Sequence, residues 1–70
     1  MTDKKIEKWM GKAVGRMHIE RISQSELAEE MGVSRGYVAM VLNGMRVPDG
    51  IKARVEAALD AIVDRRKKES

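Results

Sequence analysis

The stretch that decides the fold is QSELAEEMGVSRGYVAMVLN, residues 24–43. It holds two short amphipathic segments on either side of Gly32, and a serine that can cap a helix, Ser23 or Ser34, stands directly before each segment. Ser23 and Glu26 also have the spacing of a capping box. Gly32 stands where a helix can end in a left-handed residue at low energetic cost. The pattern predicts two helices joined by a tight turn.

Each of these two helices has one apolar face. The residues expected in the core are Leu27, Ala28 and Met31 of the first helix and Val38, Val41 and Leu42 of the second. Val33, just after the turn, is expected to point inward and fix the angle between the helices. A small residue at the crossing, a glycine at the turn and apolar residues beyond it are the requirements of a helix-turn-helix.

A further amphipathic helix is predicted before this unit, from about Asp3 to His18 with Asp3 or Thr2 as its cap. Ile22, and with it Ile19, is expected to fold under the connector that follows. The apolar face is formed by Ile6, Trp9, Met10, Ala13, Val14 and Met17.

A last helix is predicted after the loop that contains Pro48, with Asp49 as its N-cap and its end near Lys67. Residues 66–70 are expected to fray. The apolar face of this helix is formed by Ile51, Val55, Ala58, Leu59 and Ile62.

The composition favours one small all-α domain. The chain has 70 residues, of which 43% are hydrophobic, with no Phe and no Cys, so it can bury one core and uses residues that favour helix. We expect residues 1–70 to form a single domain, a compact bundle of four or five helices with its helix-turn-helix core at 23–44. The lack of cysteine fits a reducing cytoplasm. No apolar run approaches the roughly 18 residues of a membrane span, and no signal segment is evident.

Charge and site chemistry argue for a binding protein. The formal net charge is +3, and residues 34–54 carry four Lys or Arg against Asp49 alone, where a nucleic-acid backbone would be met. His18 is the only histidine, so neither metal binding nor acid-base catalysis is expected. The sequence predicts no enzyme activity, no cofactor and no small-molecule ligand.

The segment from Ser23 to Pro48 resembles the Cro/C1-type (XRE) helix-turn-helix repressors of phage and bacteria. Their pattern is S-Q-x-x-L-A-x-x-x-G-V-S, a variable recognition stretch, then N-G and a basic loop that ends in proline. The matching residues are Ser23-Gln24, Leu27-Ala28, Gly32-Val33-Ser34, Asn43-Gly44 and Arg46-Val47-Pro48. The resemblance implies a lambda-repressor-like fold.

The resemblance also implies which residues face DNA. Those expected at base edges in the major groove are Ser34, Arg35, Gly36 and Met40. Those expected at the sugar-phosphate backbone are Gln24, Asn43, Gly44 and Arg46, to which the side-chain chemistry of Tyr37 adds that residue.

Arg35 is the only long hydrogen-bond donor at the head of the recognition helix, and its guanidinium fork fits guanine O6 and N7. Tyr37, Ala39 and Met40 can contact thymine methyl groups, although the Tyr37 hydroxyl can instead reach a phosphate. Gly36 either permits close backbone approach or contributes nothing. The ion pair that many relatives form between the first and third helices is replaced here by Met17 and Leu42.

The leading interpretation is sequence-specific binding of double-stranded DNA by a homodimer on a pseudo-palindromic site, as a small transcriptional regulator and most readily a phage-type repressor. The alternative is a protein-interaction module, an antirepressor or adaptor, that keeps the fold and uses an apolar surface. That surface would consist of Tyr37, Met40, Met45 and Val47.

Overall fold

The computed structural model describes residues 6–69, which form four helices and no β-strand. They are α1 (Lys8–Glu20), α2 (Gln24–Met31), α3 (Arg35–Leu42) and α4 (Ile51–Glu69). Helix α2 packs against α3 and α4, and α1 packs against α4 and α3. The all-α bundle around a helix-turn-helix is therefore confirmed, with four helices rather than five in the described part of the chain.

The core draws on all four helices and on the α1–α2 connector. Leu27 of α2 and Ile62 of α4 are fully buried, so the helix-turn-helix is fixed to α4 by complete burial of a side chain on each side. Met31 and Val33 are half-buried and pack against the same cluster. The buried hydrophobic residues are Trp9, Met10, Ala13, Met17, Ile22, Leu27, Ala28, Val38, Val41, Leu42, Ile51, Val55, Ala58, Leu59 and Ile62.

The turn between α2 and α3 is a Schellman motif. The Val33 N–H donates to the Ala28 carbonyl oxygen at 3.0 Å and the Gly32 N–H to the Glu29 carbonyl oxygen at 3.2 Å. Gly32 has a φ of 73°, in the left-handed region, as its place in the sequence predicts. The motif turns the chain sharply and brings Val33 against the core, which sets the angle at which α3 leaves α2.

Replacing Gly32 with Ala should destabilise the protein by about 1–2 kcal/mol, the cost of a left-handed conformation in a residue with a Cβ. The added Cβ would meet no atom within 4 Å, so the cost is conformational and not steric. Thermal unfolding should show a melting temperature lower by about 4–8 °C per kcal/mol. Gly36→Ala is the matched control: Gly36 lies inside α3, its added Cβ would reach only the Ser34 Oγ at 4.0 Å, and helix propensity favours Ala.

The predicted start and face of α1 were wrong in part. The helix begins at Lys8 with Glu7 as N-cap, so Ile6 lies before it and is 65% exposed. Glu7 has an extended backbone, and its carboxylate accepts a hydrogen bond from the Trp9 indole N–H. The proposed caps Thr2 and Asp3 lie outside the described residues.

Two other apolar residues of this region are also exposed, Val14 by 48% and Ile19 by 78%. Helix α1 packs mainly against α4 and α3, and these cover one arc of its surface. Val14 lies about 100° around the helix from buried Ala13, beyond the edge of that arc. Ile19 stays in the last turn of α1, which extends to Glu20, whereas Ile22 alone folds under the connector as predicted.

Helix α4 also differs from its predicted limits. It begins at Ile51 after a turn at Asp49 and Gly50, so Asp49 lies too early to be the residue directly before the helix. It continues to Glu69, past the predicted end near Lys67, and the fraying expected for residues 66–70 stays a prediction. Arg65 and Arg66 in this part of the helix contact the other helices.

The arginines of α4 brace the other helices. The Arg54 guanidinium donates to the Met31 carbonyl oxygen at the end of α2, at 3.3 Å. Arg65 pairs with Glu30 of α2 at 3.0 Å. Unpaired carbonyl groups at a helix end are stabilised by such cations. Helix α4 therefore holds α2 at both its end and its outer face.

Arg66 joins three helices at one point. Its guanidinium donates to the carbonyl oxygens of Glu20 and Arg21, the latter at 3.2 Å, and pairs with the Glu26 carboxylate at 2.7 Å. The Ser23 Oγ accepts from the Glu26 N–H at 3.0 Å, which confirms Ser23 as N-cap. The Glu26 side chain, however, turns to Arg66 and not back to the Ser23 N–H, so only half of the predicted capping box forms.

Candidate nucleic-acid interface

Helix α3 presents one buried and one exposed face. Val38, Val41 and Leu42 are buried in the core. Gly36 and Met40 lie on the opposite side and are exposed, Met40 by 39%. Arg35 lies closer in angle to buried Leu42, but it is the first residue of the helix and is also exposed. The predicted base-reading residues of α3 are therefore all exposed.

The start of α3 is fixed by Ser34. Its Oγ accepts a hydrogen bond from the Tyr37 N–H at 3.0 Å, which makes Ser34 the N-cap as predicted. Its hydroxyl hydrogen is still available to an outside acceptor. Arg35 is the first residue of the helix and is exposed, and Gly36, also exposed, has no crowded neighbour that would require a glycine. The fold alone does not explain why position 36 lacks a side chain.

The end of α3 is a second Schellman motif. The Gly44 N–H donates to the Val41 carbonyl oxygen at 3.1 Å, and the N–H groups of Met45 and Arg46 donate to the Met40 carbonyl oxygen at 2.8 and 3.3 Å. Gly44 has a φ of 76°, whereas Asn43 has an ordinary φ of −91°. Of the Asn-Gly pair, only the glycine uses its left-handed freedom.

This geometry changes the reading of Gly44. The residue is buried and its N–H is already donated within the protein, so it has no donor left for a phosphate. Asn43 and Arg46 on either side are exposed. Gly44 therefore positions these two side chains, while the DNA contact predicted for Gly44 stays a prediction.

Gln24 and Tyr37 are both half-buried. Gln24 is the first residue of α2, where N–H groups without helical partners and the positive end of the helix dipole favour an anion. The Tyr37 ring packs against the core, which leaves less of the ring for thymine methyl groups and favours contact through its hydroxyl.

A scan against protein-family models matches residues 20–54 to the helix-turn-helix family. The match spans half of the 70 residues, from the end of α1 to the first turn of α4, and so contains the whole geometry described above. The chain belongs to the Cro/C1-type helix-turn-helix family. Its members are DNA-binding regulators of transcription and are typically not enzymes. No match was found among curated proteins or among solved structures.

In this helix-turn-helix regulator, apolar side chains occupy the two positions where the resemblance implies an ion pair between the first and third helices. Met17 of α1 and Leu42 of α3 are 6% and 7% exposed and belong to one hydrophobic cluster. Apolar packing replaces a buried pair of charges, an exchange that is often neutral or stabilising when both partners change together.

The arginines of this regulator divide into two groups. Four are used inside the protein: Arg16 pairs with Asp60 at 2.7 Å, and Arg54, Arg65 and Arg66 make the contacts described for α4. Among residues 6–69, Arg21, Arg35 and Arg46 are the arginines whose guanidinium groups make no such contact.

Not all of the positive charge in residues 34–54 is available to a nucleic-acid backbone. Of the four cations counted in residues 34–54, Arg54 holds the end of α2 and is committed to the fold. Arg35, Arg46 and Lys52 are left as exposed cations. Sequence reasoning missed the bracing role of Arg54 because its partner lies 23 residues away and no local pattern signals it.

The described part of the chain has neither a metal-binding cluster nor a membrane-spanning helix. No group of three or more His, Cys, Asp and Glu residues is placed to hold a metal ion within residues 6–69. None of the four helices is long and apolar enough to cross a membrane.

Proposed function

We propose that this chain is a sequence-specific repressor that places α3 in the major groove of double-stranded DNA and acts as a homodimer on a pseudo-palindromic site. The observation that carries the proposal is Arg35, which is exposed on the first turn of α3 and has no hydrogen-bond or ion-pair partner among residues 6–69. A guanidinium left unused by the fold at this position is suited to reading a base.

The proposed base contacts are those of Ser34, Arg35, Gly36 and Met40. Arg35 binds guanine through O6 and N7, and Met40 packs on a thymine methyl group. Gly36 lets the helix backbone approach the bases closely, which fits the absence of any crowding at this position inside the protein.

The proposed backbone contacts are those of Gln24, Tyr37, Asn43 and Arg46, with Gly44 as the residue that aims the last two. They come from the start of α2, the first turn of α3 and the loop after α3. Contacts from three separated points fix the register of the protein on the duplex.

Two copies are proposed because one α3 can read only a short site. With one long donor and few polar groups, a single helix discriminates by only about 1–3 kcal/mol per well-read base. A second copy doubles the readout and adds half-site spacing as a criterion. We take residues 1–70 as one domain of this dimer, working on DNA in the cytoplasm.

Arg46→Ala should weaken binding to all DNA sequences alike. Arg46 is exposed and has no internal partner among the described residues, so its removal should cost one phosphate contact and little stability. The slope of log K against log salt concentration should become less steep by about 0.9. Fluorescence anisotropy titrations at several salt concentrations, on operator and random duplexes, measure this slope. A loss confined to the operator would instead assign Arg46 to base reading.

The alternative, an antirepressor or adaptor, needs an apolar surface at Tyr37, Met40, Met45 and Val47. Met45 is 52% exposed and stands beside Met40, since the Met45 N–H donates to the Met40 carbonyl oxygen. Tyr37 and Val47, however, pack against the core, so two of the four members are partly withdrawn. We therefore favour the DNA-binding proposal.

Selection of bound sequences from a random duplex pool tests the proposal as a whole. A repressor of this kind should enrich two inverted half-sites with a fixed spacing and a guanine in each. Enrichment of a single half-site would argue against the homodimer. An adaptor would enrich nothing and would show no salt-dependent binding to random duplex at micromolar concentration.

A further inference from the structure

The corner between α1 and α2 is built around Arg21. The Ile22 N–H donates to the Met17 carbonyl oxygen at 2.8 Å and the Arg21 N–H to the His18 carbonyl oxygen at 3.3 Å, so α1 ends in a third Schellman motif. Arg21 has a φ of 57° and is the one non-glycine residue with positive φ among residues 6–69. An arginine thus occupies the position that a glycine takes at the ends of α2 and α3.

The backbone of Arg21 is held while its side chain is left free. Its carbonyl oxygen accepts a hydrogen bond from Arg66 at 3.2 Å. Its guanidinium, in contrast, makes no hydrogen bond or ion pair among the described residues, and the residue is exposed. In both respects it resembles Arg35 and Arg46, the two arginines placed at DNA by the proposed function.

The surroundings of Arg21 lead to the start of α2. Arg21 and His18 line one open hollow together with Ser23, the N-cap of α2. Gln24, the next residue, is the proposed phosphate contact at that end. Arg21 therefore lines the same hollow as the residue directly before Gln24, at the start of α2.

We propose that Arg21 binds a backbone phosphate adjacent to the one held by Gln24, so that the DNA interface extends from α3 to the end of α1. This inference rests on the proposed function. The partner is the sugar-phosphate backbone of duplex DNA, since a lone exposed guanidinium beside a helix start supplies charge-assisted donors but no geometry that reads one base. The contact adds affinity without sequence preference.

The conformation of Arg21 gives an unusual test. A left-handed residue with a Cβ costs roughly 1–2 kcal/mol relative to glycine, so Arg21→Gly should raise the thermal stability of the protein. The same substitution removes the proposed phosphate contact. Stability and DNA affinity should therefore change in opposite directions, whereas an arginine that is merely solvated would give higher stability and unchanged binding.

The experiment compares the full-length wild type with Arg21→Gly, Arg21→Lys and the control Lys12→Ala on a fluorescent 20-base-pair random duplex. Lys12 is an exposed cation in the middle of α1, and its substitution removes the same charge away from the corner. Arg21→Gly should weaken binding roughly five- to tenfold at 0.1 M salt and reduce the salt slope by about 0.9. Arg21→Lys should retain most of the wild-type affinity and most of the salt slope. The affinity of Lys12→Ala should stay within about twofold of the wild-type value.

The possible outcomes separate the two proposals. If the wild type shows no salt-dependent binding to the random duplex, the proposed DNA-binding function itself is wrong. If the wild type binds but Arg21→Gly binds equally well, or no worse than Lys12→Ala, the phosphate contact of Arg21 is overturned while the proposed function stands. The inference is supported if Arg21→Gly binds DNA more weakly and melts at a higher temperature than the wild type, while Arg21→Lys binds DNA nearly as tightly as the wild type.

Discussion

Arg35→Ala is expected to lower affinity for the selected operator about tenfold to a hundredfold and to relax the preference for guanine at one position of each half-site. The expected loss corresponds to the roughly 1–3 kcal/mol of a bidentate arginine–guanine contact. Arg35 is exposed and unpaired among residues 6–69, so the folded protein should keep its melting temperature. Binding to random duplex should fall only about threefold, the effect of one lost surface charge.

Arg16→Ala is a matched control, because it removes the same charge from an arginine that pairs with Asp60 on the face between α1 and α4. It should leave the operator preference intact. The measurement is a competition titration of operator against single-base variants at the guanine position. If Arg35→Ala binds the operator as tightly as the wild type does, the recognition assignment is wrong. An equal loss on operator and random duplex would make Arg35 a backbone contact.

The proposed base-reading surface around Arg35 has few polar groups. Ser34 has only its hydroxyl hydrogen left to donate because its Oγ caps α3, Gly36 has no side chain, and Met40 offers only apolar contact. Such a surface can discriminate strongly at one base pair in each half-site and weakly elsewhere. The spacing between half-sites and the deformability of the DNA between them should therefore contribute much of the specificity.

The sequence predicted the helix-turn-helix because its signals are local. A serine caps a helix through an N–H three residues later, and a glycine ends one through its own φ. Ser23, Gly32 and Ser34 therefore all stand where they were predicted. The core faces followed from helical spacing, since one face of each short helix meets the rest of the protein.

The parts that sequence reasoning missed depend on distant partners. Glu26 and Arg66 are 40 residues apart, and their pairing removes half of a capping box that the local pattern predicts. Val14 fits an apolar stripe by spacing, yet no helix lies over it. The proposed role of Arg21 was missed for a related reason. Arg21 stands at the end of α1, in the left-handed position where a glycine is usual. That position can be recognised only once the end of α1 is known.

Arg66→Ala is expected to be among the most destabilising single substitutions on the surface of this protein. Arg66 is half-buried. Its removal leaves the carbonyl oxygens of Glu20 and Arg21 and the carboxylate of Glu26 without their cation. Hydrogen bonds to a charged group contribute about 1.5–3 kcal/mol where they are protected and less where solvent competes. We expect a loss near 2 kcal/mol, or a melting temperature lower by about 8–16 °C.

Arg65→Ala provides the comparison, since Arg65 is the adjacent arginine and pairs with Glu30 alone, at 3.0 Å, with 54% of its side chain exposed. An exposed pair of this kind contributes at most about 1 kcal/mol. Thermal unfolding should be measured for both variants, for Glu26→Gln and for the double variant Glu26→Gln/Arg66→Ala. The comparison separates the contribution of the Arg66–Glu26 ion pair to stability from that of the two backbone contacts of Arg66. Equal losses for Arg65→Ala and Arg66→Ala would show that Arg66 acts only as another surface ion pair.

The same substitution should also affect DNA binding if the corner of α1 and α2 belongs to the interface. Arg66 holds the carbonyl of Arg21 and the first turn of α2, so its loss frees the segment that positions Arg21 and Gln24. At a temperature where Arg66→Ala remains folded, we expect weaker binding to random and operator duplexes alike, with the guanine preference of Arg35 retained. A change in base preference would instead mean that α3 itself depends on Arg66 for its orientation.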